Sequence, residues 1–305
     1  MWLILAFLSA ASLGIYDSLK KKSLKDNAVL PVLFLNTLFS SLIFMPCIVM
    51  SAAGPVLDDT IFHVASGGWE QHRYIVVKAL IVLGSWVLGY FGMKHLPLTI
   101  VGPINATRPV MVLVGALLFF GERLNGWQWA GVALAVASFL LLSRSGKKEG
   151  IDFRHDHWIY MIVGAAALGA LSGLYDKYLM APEAEDGLGL DRMMVQSWYT
   201  IYQCVLMLLM LLLIWWPHRR QTTAFRWDWG ILGISLFLSL ADFLYFYSLS
   251  LPSAMISIVS MIRRGSVVVS FLCGALFFHE KNLRAKALDL ALVLLGMVFL
   301  YIGSR

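Results

Sequence analysis

Three arginines lie inside long apolar stretches of this 305-residue chain. Arg108 falls near the middle of the stretch 96–122, and Arg263 and Arg264 fall near the middle of the stretch 251–280. Burying a guanidinium in a membrane is costly, so these side chains should face protein or a wet cavity. Because the planar fork of arginine matches two oxygens of a carboxylate or phosphate, they predict an anion-binding centre. The alternative is structural, with each arginine paired to a buried acid or to helix carbonyls.

Six further polar residues inside apolar stretches are candidates for substrate contact. They are Asn105, Asp242, Tyr245, Gln203, Tyr199 and Asn36. Asn105 precedes Arg108 by three residues and shares its helix face. We predict that Asp242 is the counter-ion of an arginine, and a proton or cation carrier is the alternative. The amides and tyrosines could bind a polar substrate or simply hold helices together, and the sequence leaves both open.

Two acids occur in the same short motif, far apart in the chain. The tetrapeptide GIYD ends at Asp17 and GLYD ends at Asp176, so Tyr16 and Tyr175 precede equivalent aspartates. We predict a gating or proton-coupling role for these four residues. The alternative is a pair of interfacial acids, each neutralised by a nearby lysine. Lys78, near the start of another apolar stretch, is predicted to extend its amine to the membrane surface.

The elements that must position these residues are membrane-spanning helices. The chain is 59% hydrophobic and 14% charged, whereas soluble domains are about 25% charged. Ten stretches are long and apolar enough to cross a bilayer. Their bounds are about 2–19, 29–51, 73–93, 96–121, 126–144, 157–180, 192–216, 228–250, 252–279 and 285–303. We expect the first to be a retained helix and not a signal peptide. The net charge of +6 does not indicate nucleic acid, because it comes mostly from loops beside a membrane.

The ten spans form two similar halves. A polar linker at 145–156 separates five spans in residues 1–144 from five in residues 157–305. The stretches 96–122 and 251–280 both begin with Leu-Pro, contain arginine near the middle and end in glutamate. Since five is odd, the second half must be inverted relative to the first. The sequence therefore predicts an all-α polytopic membrane protein of two inverted five-helix repeats, an architecture typical of secondary transporters.

The orientation follows from lysine and arginine. Loops after the odd-numbered spans hold most of these residues, and such loops face the cytoplasm. Both termini are therefore predicted outside the cytoplasm, in what we expect to be a bacterial inner membrane.

These features resemble the drug/metabolite transporter superfamily, in particular its ten-helix members with two EamA-type halves. The resemblance rests on length, the five-plus-five repeat and the two helices that begin at Pro97 and Pro252 and end at Glu122 and Glu280. It implies a transporter of small metabolites and does not identify the substrate. Well-known ten-helix members have both termini in the cytoplasm, opposite to the arrangement that the charges predict here. The Arg263-Arg264 pair is also similar to a basic pair that holds phosphate in plastid sugar-phosphate translocators.

The sequence thus predicts a secondary active transporter, not an enzyme. It would move a small polar, anionic metabolite by alternating access, driven by protons or by exchange. A flippase for an anionic lipid or polyprenyl-phosphate head group, and a membrane receptor without turnover, are the alternatives. No phosphate loop, nucleophile motif or zinc motif occurs, so neither a cofactor nor a metal is expected. The expected partners are the anionic substrate and membrane lipids, with the chain a monomer or homodimer.

Overall fold

The structure, a computed structural model, describes residues 2–111, 125–147, 153–180, 187–251, 259, 262–278 and 283–303. These residues form helices joined by turns and loops, with no strand among them. The helices are α1 (Trp2–Leu24), α2 (Val29–Ala53), α3 (Trp69–His95), α4 (Leu98–Ala106), α5 (Gly126–Lys147), α6 (His157–Met180), α7 (Arg192–Met210), α8 (Gly230–Ser250), α9 (Ser266–Phe277) and α10 (Leu283–Gly303). A π-helical turn, Leu211–Trp215, extends α7 to His218. The prediction of an all-α protein is confirmed for these residues.

Seven of the described helices are long and apolar enough to cross a membrane. They are α1, α2, α3, α6, α7 with its extension, and the parts 230–248 of α8 and 286–303 of α10. At 1.5 Å per residue, their 18 to 27 residues extend about 27–40 Å, which matches a hydrocarbon core of about 30 Å. The chain is an integral membrane protein. The predicted spans 96–121 and 252–279 lie partly outside the described residues.

Local sequence signals explain where several helices begin. The Asp191 carboxylate accepts a hydrogen bond from the Met194 amide at 2.8 Å and caps the start of α7. Asn125 and Gln128 accept hydrogen bonds from each other's amides at 3.0 Å at the start of α5. Both arrangements satisfy helix amides that have no partner inside the helix. Pro97, which lacks an amide hydrogen, separates α3 from α4, so these helices form a tight hairpin.

The helices pack as a set of mixed pairs. The most extensive contacts join α1 to α8, α3 to α6, α5 to α10 and α2 to α7, and α4 also packs against α9. α1 lies against α9 as well, where a Cβ added to Gly14 would come within 2.9 Å of the Ser266 carbonyl oxygen. Each contact joins a helix from residues 1–144 to one from residues 157–303, so the interior lies between the two halves of the chain.

Turns at one end of the bundle are tied together by lysines. The Lys21 amine donates to the carbonyl oxygens of Met93 at 2.7 Å and Leu96 at 2.5 Å. The Lys94 amine donates to the carbonyl oxygen of Asn27 at 2.9 Å. The α1–α2 turn and the α3–α4 turn are therefore held side by side. We call this the lysine-rich end.

The outer surface has the composition expected beside lipid. Many large apolar side chains are exposed, Leu213 among them at 72%. Tryptophans at or near helix ends are also exposed: Trp69, Trp127, Trp129, Trp216, Trp227 and Trp229. Tryptophan is enriched at both membrane–water interfaces, so these positions indicate where the hydrocarbon region ends.

Candidate functional site

A cavity of about 180 Å³ lies between α1, α3, α4, α6, α7, α8 and the segment 262–267. Eight charged residues line it: Asp17, Lys20, Lys78, Arg108, Asp176, Asp242, Arg263 and Arg264. Five of these are cations and three are acids. Most of the residues predicted from sequence as site residues are on its wall, namely Arg108, Arg263, Arg264, Asn105, Asp242, Tyr245, Tyr199, Asp17, Asp176 and Tyr16.

Asp242 of α8 is the centre of one polar cluster. The Tyr199 hydroxyl donates a hydrogen bond to one carboxylate oxygen of Asp242 at 2.8 Å, and the Arg263 guanidinium donates to the other. The Arg263 guanidinium also lies 4.2 Å from the centre of the Tyr245 ring. Such a guanidinium–ring contact adds about 0.5–2 kcal/mol. Asp242 is therefore placed as the counter-ion of Arg263, and both of its oxygens have donors.

Arg108 lies directly after α4 and has a neutral partner. Its guanidinium donates to the side-chain oxygen of Asn105 at 3.0 Å, and its buried Nε has no hydrogen-bond partner in the described chain. A Cβ added to Gly169 of α6 would lie 2.7 Å from the Arg108 Cζ atom. The guanidinium thus lies against the backbone of α6, and a side chain at position 169 would have to displace it.

Lys78 and Asp176 form an ion pair between α3 and α6. Lys78 is 3% exposed, and its amine also lies 5.0 Å from the centre of the Tyr199 ring. The prediction that this amine reaches the membrane surface is wrong. The reason is that α3 begins at Trp69, which places Lys78 nine residues, or about 14 Å, along the helix.

Asp17 forms the corresponding pair within α1. Its carboxylate accepts from the Lys20 amine at 2.8 Å and from the Ser270 hydroxyl at 3.4 Å. The Lys20 amine also lies 4.2 Å from the centre of the Tyr16 ring. Asp17 is near the end of α1, where Lys21 contacts the end of α3.

Asp176 lies toward the opposite end of the cavity. It is near the end of α6, where the Tyr175 hydroxyl donates to the carbonyl oxygen of Tyr74 at 3.2 Å. Tyr74 belongs to the first two turns of α3, whereas the lysine-rich end contains the last turn of that helix. The motif-related acids Asp17 and Asp176 are thus separated along the depth of the cavity.

Three predicted site residues do not line the cavity, namely Gln203, Asn36 and Tyr175. Asn36 of α2 is fully buried, and both of its amide atoms have no hydrogen-bond partner in the described chain. The Gln203 side-chain nitrogen of α7 is in the same situation. Tyr175 contacts α3 through the bond to Tyr74.

One side of α3 contributes cavity residues that were not predicted as site residues. These are Lys78, Val82, Ser85, Trp86, Gly89, Tyr90 and Met93. Their spacing of three and four residues is that of one helical face. A search for small and polar residues at this spacing could have identified the face.

Comparison with known proteins finds a family that the first half of the chain resembles. A model of the EamA-like transporter family matches residues 1–144. The match spans a little under half of the 305-residue chain. The resemblance seen in the sequence is confirmed, and the EamA-like part contributes α1, α3 and α4 to the cavity wall.

Several proteins share shorter stretches with this chain. An uncharacterised transporter from a Sinorhizobium species is 30% identical over 87 residues, which cover 26% of this chain and 62% of that protein. Probable 4-amino-4-deoxy-L-arabinose-phosphoundecaprenol flippase subunits ArnE from Aeromonas hydrophila and Aeromonas salmonicida are 29% and 31% identical. These two matches cover 24% and 22% of this chain, and 67% and 60% of the two proteins. The matches therefore span roughly two thirds or less of these relatives.

The whole fold has a counterpart among solved structures. A protein of known crystal structure superposes with a TM-score of 0.63, and the match covers 99% of both chains. The two sequences are 11% identical. At this identity the likeness concerns the fold alone.

Proposed function

We propose that this protein is a secondary carrier that moves a small polar anion across the membrane by alternating access. The observation that supports this most directly is the charge of the cavity wall, where five cations face three acids. An unbalanced cluster of this kind is costly inside a membrane. A bound anion would lower that cost. Anion binding therefore explains the excess of positive charge, whereas packing of the helices alone does not.

The helix packing supports a repeat of two five-helix halves, with ten spans in all. If α1 to α5 correspond to α6 to α10, the contact of α1 with α8 corresponds to that of α6 with α3. Both contacts are among the most extensive in the bundle. In the pairs α2–α7, α4–α9 and α5–α10, each helix packs against its own counterpart in the other half. A two-fold relation between residues 1–144 and 157–305 would produce this pattern, and inverted repeats commonly enclose a site near mid-membrane.

In this carrier, Asp17 and Asp176 act at the two mouths of the cavity. Each acid has a lysine partner and an adjacent tyrosine, Tyr16 or Tyr175. Opening the mouth at Asp176 would separate this acid from Lys78 of α3, and opening the mouth at Asp17 would separate that acid from Ser270 of α9. Alternating access requires such a pair of gates, only one of which is open at a time.

Transport by purified protein in vesicles tests the proposal. We expect uptake of an anionic metabolite to be accelerated by the same metabolite trapped inside, and to be reduced about ten- to a hundredfold by Arg108→Gln. Arg219→Gln, in an exposed loop, is the matched control. Normal uptake by the Arg108 variant would contradict an anion site at this residue.

A second candidate is a flippase for an anionic lipid head group. Two relatives are named as probable flippase subunits for a sugar phosphoundecaprenol, although at low identity. The same basic cavity could receive a lipid phosphate. In vesicles, movement of a fluorescent polyprenyl phosphate between leaflets without uptake of any soluble anion would favour this function over the first.

The membrane and the orientation are part of the proposal. The excess of lysine and arginine in the loops after the odd-numbered predicted spans favours a bacterial inner membrane protein with both termini outside the cytoplasm. A cytoplasm-dependent fluorescent reporter fused after Gly303 should stay dark, and a bright reporter would reverse the orientation.

A further inference from the structure

We infer that the cavity binds a phosphate monoester, either soluble or attached to a polyprenyl lipid. The inference rests on the proposed function and specifies its substrate class. It follows from the partners of each charged residue on the cavity wall.

Three of the five cations are already neutralised. The carboxylates of Asp17, Asp176 and Asp242 each pair with one cation, and the partners are Lys20, Lys78 and Arg263. Two of these acids hold a further hydrogen bond, from Ser270 to Asp17 and from Tyr199 to Asp242. A substrate anion would have to compete with a carboxylate at each of these cations, so they are poor anchors.

Arg108 and Arg264 are left without an acid in the described chain. The bonded partner of Arg108 is the neutral Asn105, and no ion pair of Arg264 occurs among the described residues. Both guanidiniums line the same cavity, and its five cations exceed its three acids by two. The cavity therefore holds two formal positive charges that need a ligand.

The charge and shape of these groups favour phosphate over a single carboxylate. A carboxylate would neutralise one of the two guanidiniums and leave the other unpaired in the membrane. A phosphate monoester carries two charges when pH is above its second pKa of about 6, and it offers three oxygens. Two arginine forks can share those oxygens, with two parallel bonds from each. Asn105, whose oxygen accepts from Arg108, can add its amide as a neutral donor.

Calorimetric titration of the purified full chain at pH 8 tests the inference. Glycerol 3-phosphate and glycerate have similar three-carbon skeletons but carry a phosphate and a carboxylate. We expect the phosphate to bind at least about tenfold more tightly, consistent with one additional charge-assisted contact. That preference should disappear in Arg108→Gln and in Arg264→Gln, and it should persist in Arg219→Gln. Arg108→Lys and Arg264→Lys retain the charge and should weaken binding less than the glutamine variants. This graded loss distinguishes a lost contact with the anion from a misfolded protein.

Farnesyl phosphate distinguishes the two sources of the phosphate. Tighter binding of farnesyl phosphate than of glycerol 3-phosphate assigns the site to a lipid, and equal or weaker binding assigns it to a soluble ester. Equal affinity for glycerate and glycerol 3-phosphate, or no effect of Arg264→Gln, would overturn the inference. If glycerate binds equally well and is transported through Arg108, the anion carrier stands and only the phosphate assignment fails. If the phosphate preference holds but no anion or lipid crosses the membrane, the site stands and the carrier fails.

Discussion

Replacement of Lys78 by methionine should destabilise the folded bundle strongly. Methionine has nearly the length of lysine but no charge, so the change removes the partner of Asp176 without opening a large cavity. Asp176 would then remain an unpaired acid between α3 and α6, at a side-chain exposure of 13%. The contacts of the Lys78 amine with the rings of Tyr199 and Phe246, at 5.0 and 5.6 Å, would also be lost.

The expected loss of stability in Lys78→Met follows from the burial of the ion pair. Removal of one partner from a buried ion pair typically costs about 3–5 kcal/mol, because the other charge is left unpaired. Adding Asp176→Asn removes that charge, so the double variant should regain most of the loss. We expect a coupling energy between the two positions of about 2–3 kcal/mol.

The Lys20–Asp17 pair provides a matched control. Both residues belong to α1, and a helix that persists in detergent retains a pair three residues apart even after the bundle comes apart. The pair is then present in both states, and its coupling energy should be below about 0.5 kcal/mol. Lys78 and Asp176 lie on different helices, so only the folded bundle brings them together.

Unfolding in mixed micelles of increasing dodecyl sulfate content can measure both cycles. The free energy of unfolding would be obtained for the parent, the two single variants and the double variant of each pair. Similar coupling energies for the two pairs, or a value below about 0.5 kcal/mol for Lys78 and Asp176, would refute the reasoning.

Two other predictions follow from local geometry. Gly169→Ala should reduce anion affinity about tenfold, because the new methyl group would displace the Arg108 guanidinium, which lies 2.7 Å from that position. Gly126→Ala in α5, away from the cavity wall, meets nothing within 4 Å and should bind normally in the same titration. Burial raises the pKa of Asp228, but hydrogen bonds, chiefly from Ser23, outweigh this and hold the pKa below its usual value. Stability from Asp228 is therefore present above about pH 4 and is lost as pH falls through the lowered pKa. Asp228→Asn should be less stable than the parent at pH 6, and a gap that stays constant down to pH 3 would exclude this mechanism.

Hydropathy was sufficient to predict the all-helical class and the positions of most described helices. The predicted bounds of several helices differ from the structure by a few residues at most, as at 157–180 and His157–Met180. Some helices also continue past the predicted apolar stretch at a polar end, as in α1, predicted to end at residue 19 but reaching Leu24. A helix can continue beyond the hydrocarbon region of the membrane, so the first polar residues after an apolar stretch need not mark the end of the helix.

The candidate site was harder to predict than the helices. Lipid and protein interior are equally apolar, so hydropathy does not show which face of a helix points inward. Charges at mid-span, such as Arg108 and Asp242, must face the interior, and they could be identified. Asn36 and Gln203 are polar but uncharged, so they can be buried between helices away from the cavity. The sequence does not show how α2 and α7 are rotated about their axes, and therefore does not show which of their faces lines the cavity. Lys78 was misplaced because the polar residues before it belong to α3 and extend that helix outward.

The placement of the two lysines also bears on the kinetics of transport. Lys20 moves together with Asp17 because one helix carries both, whereas Lys78 and Asp176 must separate when α3 and α6 slide apart. In the proposed carrier, one half of the cycle would break an ion pair and the other would not. Thermodynamics forbids this difference from changing the final gradient, but it can make the two half-reactions unequal in rate. Influx and efflux measured at the same substrate concentration would then have different maximal velocities and different temperature dependences.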